Sequence, residues 1–215
     1  MLNDIERSLK MPKVFPNQKP VTVETREDGT TTISGYAAVY HRAEDAGTQY
    51  QLMDSYYERI KPGAFDRALA EKQDVRALFN HDANHVLGRT TSGTCRLSCD
   101  SVGLRYEVDL PNTQVARDLA ESVSRGDVSG SSFAFSVDKE GQQIERSKDG
   151  MTYRNIVDAD LFDVSVVTYP AYESATSGIR SAENVQEATE ALEVWQREQD
   201  AVKVRLAKIK FDKES

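Results

Sequence analysis

The stretch Leu161-Phe162-Asp163-Val164-Ser165-Val166-Val167-Thr168 alternates with a period of two: Phe162, Val164 and Val166 fall on one side of an extended chain, and Leu161, Asp163 and Ser165 on the other. Successive side chains of a β-strand point to opposite faces, so the pattern predicts a strand with a more apolar face and a carboxylate on the face opposite. Upstream, Gly130-Ser131-Ser132-Phe133-Ala134-Phe135-Ser136-Val137 has the same character. There Phe133, Phe135 and Val137 share one face while Ser132, Ala134 and Ser136 share the other. Side by side, such strands present a hydroxyl and a carboxylate on one outer surface.

Working away from these strands, the β pattern recurs. Residues 21–25 and 31–40 read as a hairpin around Asp28-Gly29, and further strands are predicted at 74–79, 94–98, 103–110, 151–157 and 160–169. Residues 41–52 are polar and read as a loop. Lys61-Pro62-Gly63-Ala64-Phe65 is a turn entering a short helix, with Phe65, Ala68 and Leu69 at helical spacing. A second helix is predicted over 113–125, capped by Thr113, with Val115, Leu119 and Val123 on one face and Gly126 ending it. The sum is a mainly β domain, an antiparallel barrel, closed or nearly so, with helices packed outside.

Domain organisation follows composition. Residues 1–20, with Pro12, Pro16 and Pro20, read as a flexible N-terminal arm, 21–172 as the β domain, and 173–183 as a small, polar linker. Over 184–212, Val185, Ala188, Leu192, Trp195, Gln199, Val202, Leu206 and Ile209 recur at heptad spacing among dense charge, the pattern of an amphipathic or coiled-coil helix.

The chain has 215 residues, 39% of them hydrophobic, enough for one core with extensions. With 27 basic and 35 acidic side chains the net charge is −8, and no basic run is present, so nucleic acid is not an expected partner. No apolar stretch is long enough for a bilayer, and the first residues lack the apolar centre of a secretory signal, so a soluble intracellular protein is expected. Cys95 and Cys99 lie on one face of a predicted strand, about 13 Å apart, too far for a disulfide; free thiols are expected.

The chemistry-bearing residues are few. A serine hydroxyl is a weak nucleophile and needs a base. His81, in Phe79-Asn80-His81-Asp82 at the end of a predicted strand, supplies one, and Asp163 can orient it. Ser129 and Ser131 also flank Gly130, but Ser132 lies on the face opposite the phenylalanines. Gly130 and Ser131 would let backbone amides approach a substrate carbonyl, and Leu87-Gly88-Arg89 could add a further donor. His81 and His85 are spaced as a zinc pair, but the Glu of a zinc-protease helix is missing and Asn84 and Gly88 favour a loop, so no metal and no cofactor are expected. His41 sits in a polar loop without an evident partner.

Several blocks together resemble the prohead maturation proteases of tailed phages: Ile60-Lys61-Pro62-Gly63-Ala64-Phe65, Asn80-His81-Asp82, Leu87-Gly88-Arg89, Gly103-Leu104-Arg105, Ala116-Arg117-Asp118, Gly126-Asp127-Val128, Ser132-Phe133-Ala134-Phe135, and the run from Asp163-Val164-Ser165 to Tyr169-Pro170-Ala171. The resemblance spans about residues 30–172. It implies a β-barrel similar to herpesvirus assemblin, a homodimer or higher oligomer, and a serine endopeptidase inside the immature procapsid in the host cytoplasm. Its partner would be the major capsid protein precursor or scaffold, which it would cleave, and often itself, before DNA packaging. Carried over, Ser132 is the nucleophile and His81 the base. The family usually has Glu where this chain has Asp163, so Asp160 and Asp158 stay open as the third member. The heptad tail motivates an alternative, a noncatalytic assembly or scaffolding protein that keeps a protease-like barrel. Self-cleavage, if it occurs, is expected in 171–182, the exposed linker.

Overall fold

A computed structural model describes residues 20–169 of the chain. The arm before residue 20, the linker 173–183 and the helix expected over 184–212 lie outside the described residues. Within them the chain forms β1 (Thr22–Thr25), β2 (Thr31–Val39), β3 (Tyr50–Met53), β4 (Tyr56–Ile60), α1 (Asp66–Ala70), β5 (Arg76–Phe79), β6 (Asp82–Arg89), β7 (Cys95–Cys99), β8 (Gly103–Asp109), α2 (Gln114–Ser124), β9 (Gly130–Ser136), β10 (Gln142–Arg146), β11 (Thr152–Ile156) and β12 (Asp160–Val167). Strand dominates, as the alternating pattern requires.

The strands do not close into a barrel. They form three four-stranded sheets, ordered β1-β2-β8-β7, β10-β11-β4-β3 and β6-β5-β12-β9. The expectation of a single antiparallel barrel is corrected on a second count, because β12 runs parallel to β5 and β11 parallel to β4. A parallel pair needs a crossover instead of a hairpin, and each crossover here carries the chain out of one sheet and into another.

Where the sequence reads clearly, the elements follow. Gly29, at φ +83°, makes the turn between β1 and β2. Thr113 caps α2 by accepting from the Ala116 amide at 3.3 Å, and Ala116, Leu119 and Val123 are buried; the inward face thus uses Ala116 where Val115 was expected. Two segments expected as loops are strands. The loop expected over 41–52 ends in β3, the first strand of the β3–β4 hairpin, which turns at Ser55 (φ +61°), with Tyr56, Glu58 and Ile60 of β4 pointing inward. The segment after His81 is β6, whose pairing with β5 is interrupted by bulges that hide its alternation.

Ile33, Ile60, Phe65, Leu104, Ile156 and Val164 fill the common core. Gly35 on β2 allows β9 to lie close: a Cβ there would sit 2.7 Å from the Tyr106 hydroxyl and 3.0 Å from Ser131 Oγ. In the second sheet Arg154 and Glu58 face each other across the parallel β11–β4 pair at 2.8 Å, both side chains 3% exposed. No helix among the described residues is long and apolar enough to cross a membrane.

Candidate active site

The site is built on the β9–β12 ladder. In its register Ser132 pairs with Ser165, Ala134 with Asp163, Phe133 with Val164 and Ser131 with Val166. Paired residues of an antiparallel ladder share a face. Ser132, Ala134, Asp163 and Ser165 therefore lie on one side, and Phe133, Val164 and Val166 on the other, inside the core.

A β-bulge makes this possible. The register shifts between Leu161 and Asp163, leaving Phe162 unpaired and 53% exposed, while Leu161 pairs with Phe135 in the core. An uninterrupted strand would put Leu161 on the face of Asp163, as the simple alternation predicts. The extra residue lets an apolar Leu161 face inward and Asp163, two positions on, face the site.

His81 arrives from the neighbouring strand. Beyond Phe79, the last residue of β5, the Asn80 amide donates to Val166 O at 2.9 Å. The Asn80 carboxamide brackets Thr168, accepting from its amide at 2.9 Å and donating to its hydroxyl at 3.3 Å. Asn80 and His81 both adopt the left-handed conformation, at φ +54° and +56°. Asn tolerates it better than most residues, but a non-glycine residue held there costs about 1–3 kcal/mol. The corner turns the chain out of β5 and swings the imidazole over β12.

The imidazole meets the carboxylate. His81 Nδ1 lies 2.6 Å from Asp163 Oδ1. Ser165 Oγ donates to the same oxygen at 2.8 Å and is 3.2 Å from His81 Nδ1. Of the three carboxylates open at the outset, Asp163 is the one against His81. Asp158 and Asp160 are both held by Arg67, each at 2.8 Å. Bonds from Gln73 and then Arg67 hold the Asp160 carboxyl below its ordinary value.

Ser132 stands one ladder step away. It is directly opposite Ser165, a separation of about 4.5–5.5 Å between Cβ atoms for such a pair. Its Oγ is buried without a hydrogen-bond partner, so it is not bonded to His81. The open surface expected from the sequence is also corrected: Ser132, Asp163 and Ser165 are 1%, 3% and 0% exposed. His81, with a side chain 24% exposed, is the member that reaches solvent.

The other expected contributors are placed as follows. Gly130 and Ser131 are part of β9, paired with Val167 and Val166. Alternate residues of an antiparallel strand direct their amides toward and away from the partner, and β9 is an edge of its sheet, so one of the two amides points out of the ladder. The Ser131 hydroxyl bonds Tyr106 Oη at 2.8 Å, and burial pushes that phenol above its ordinary pKa. Arg89 pairs with Arg76 at the far end of the β5–β6 hairpin from His81. Its guanidinium grips Asp74 at 2.6 and 2.5 Å, which holds the Asp74 carboxyl well below the usual range. His85 Nδ1 lies 3.3 Å from Asp82, and His41 is partly buried, its pKa lowered chiefly by that burial. Cys95 and Cys99 are free thiols. No group of three or more potential ligands among the described residues is arranged to hold a metal. A cavity of about 430 Å³ between α1 and β7 reaches Leu161 but lies on the core side, not the Asp163 side, of β12.

Two residues here were not singled out from sequence: Asn80, which anchors the corner, and Ser165, which contacts both partners of the pair. A polar residue two positions from Asp163, amid valines, was the available signal for Ser165.

A histidine against a buried carboxylate, with a serine on the adjoining strand, contains the chemical parts of a serine hydrolase. A profile of the caudovirus prohead serine protease family matches residues 19–190, most of the chain, and the protein belongs to that family. No curated protein and no solved structure matches it.

Proposed function

We propose that the protein is a serine endopeptidase of the phage procapsid, with Ser132 as nucleophile, His81 as general base and acid, and Asp163 as its orienting carboxylate. The observation that carries this reading is the 2.6 Å contact of His81 Nδ1 with Asp163 Oδ1, on the face and ladder that also hold Ser132. With its Nδ1 proton directed at the carboxylate, His81 keeps a lone pair on Nε2. That nitrogen takes the proton of Ser132 as Oγ adds to the scissile carbonyl, and returns it to the leaving amine. Water then repeats the sequence on the acyl-enzyme. The outward amide of Gly130 or Ser131 is the proposed donor to the oxyanion. In substrate-free hydrolases such hydrogen bonds are often long and tighten on binding, so the distance between Ser132 and His81 is expected to close with a peptide bound.

The proposed substrate is the capsid protein precursor or scaffold, encountered inside the immature procapsid, with self-cleavage and a homo-oligomer as further elements of the proposal. A second reading, a noncatalytic assembly protein, is favoured by one observation, the burial of Ser132 Oγ without a partner. Incubating the cognate capsid precursor with wild type and with Ser132→Ala separates them. Cleavage by wild type alone is expected; equal products from both would remove Ser132 from the chemistry, and products from neither would favour the assembly protein.

A further inference from the structure

Ser165 has no task in the triad just proposed, yet it is fully buried and touches both the base and the carboxylate that orients it. Its hydroxyl carries one hydrogen. An ionised carboxylate only accepts, so that hydrogen goes to Asp163 Oδ1, at 2.8 Å. The Ser165 oxygen then turns lone pairs toward His81 Nδ1, at 3.2 Å. With the proton on Nδ1, that N–H meets an acceptor at 2.6 Å and a second at 3.2 Å. With the proton on Nε2, the Nδ1 lone pair would instead face the carboxylate oxygen at 2.6 Å, and the Ser165 hydroxyl could donate to it only by giving up its bond to Asp163. The three-centre arrangement therefore favours one tautomer.

We propose that Ser165 is a positioning residue, whose hydroxyl steadies the Asp163 carboxylate and keeps the His81 proton on Nδ1, so that Nε2 is the nitrogen offered to Ser132. The proposal rests on the reading of His81 as base and Asp163 as its orienting acid. Its geometry comes from the strand itself. Asp163 and Ser165 are two positions apart on β12, with only Val164 between them, and so share a face, and the bulge at Phe162 lies just before Asp163, leaving that spacing regular. Ser165 also faces Ser132 across the ladder, so its replacement is felt on both sides of the site.

The test is ¹⁵N NMR of the imidazoles, joined to steady-state kinetics on a precursor-derived peptide. The chain has only three histidines, so His81→Gln assigns the signal. Wild type is expected to show the Nδ1–H tautomer. Ser165→Ala, and the near-isosteric Ser165→Cys should alanine prevent folding, are expected to show mixed tautomers. Their kcat should fall by roughly 10-fold, the low end of what losing an outer hydrogen-bond partner costs where a histidine ligates a metal, with KM little changed. Ser165→Thr, which keeps the hydroxyl, is expected to restore the wild-type tautomer and most of kcat. Unchanged tautomer populations in the alanine or cysteine variant, or a threonine variant no better than alanine, would overturn the proposal. The NMR measurement needs no turnover, so this outcome is distinct from failure of the triad, which would appear as cleavage by Ser132→Ala.

Discussion

Asp163 sits 3% exposed in the middle of a sheet, where a carboxylate deprived of donors takes up a proton sooner than remain charged. His81 and Ser165 both bond it there, and in the proposed triad the ionised carboxylate gives the imidazole its direction. Replacing it with Asn keeps the volume and removes the charge, so the imidazole can settle in the other tautomer. Asp163→Asn is therefore expected to lower kcat by about 10³–10⁴-fold, the scale for the equivalent change in the worked serine-protease triad, with KM and thermal stability close to wild type. A loss below tenfold would mean that Asp163 only fills space. Ser132 differs from its neighbours in having a buried hydroxyl with no partner, a condition that costs about 1–3 kcal/mol. Such an expense at the centre of a site, with a bonded Ser131 beside it and a bonded Ser165 opposite, is consistent with a group reserved for a substrate.

Two devices, the bulge on β12 and the corner after β5, put these side chains where they are. At the corner, Asn80 takes on both the left-handed backbone and the bonds to Thr168. Asn80→Gly removes the bonds but relieves the backbone, and Asn80→Ala loses the bonds and keeps the strain. Both variants are expected to lose activity because His81 is no longer held. The alanine variant should also be less stable than the glycine one by about 1 kcal/mol, readable from urea denaturation. Equal activity in all three would show that the clamp does not position His81. This corner was not legible in the sequence. Period-two alternation revealed β2, β8, β9 and β12, and capping residues revealed α2, because each is a local signal. Register is not local: the bulge at Phe162 reverses the faces that alternation assigns to Leu161 and Phe162, and those in β6 erase its pattern altogether. His81 and Asp163 are 82 positions apart, and residue type with the family resemblance named them where periodicity could not.

For the molecule as a whole, closure into a barrel was also beyond reach of the sequence, since the parallel pairings that divide the strands among three sheets leave no mark on composition. The sheet β10-β11-β4-β3 is fastened internally by the Glu58–Arg154 pair, 3% exposed on both sides. Arg154→Met takes the guanidinium from beside the buried Glu58 carboxylate and is expected to cost about 3–5 kcal/mol in urea unfolding, whereas adding Glu58→Leu should recover most of that loss. No recovery in the double variant would show that the two side chains act independently. The function proposed for the molecule depends on a nucleophilic Ser132, activated from the neighbouring strands. The most direct measurement is peptide mapping by mass spectrometry after treatment with a fluorophosphonate, which forms a bond to an activated serine oxygen with loss of fluoride. Expected is a single adduct on Ser132, absent from the His81→Ala variant; an unmodified Ser132, or an adduct formed equally without His81, would contradict it.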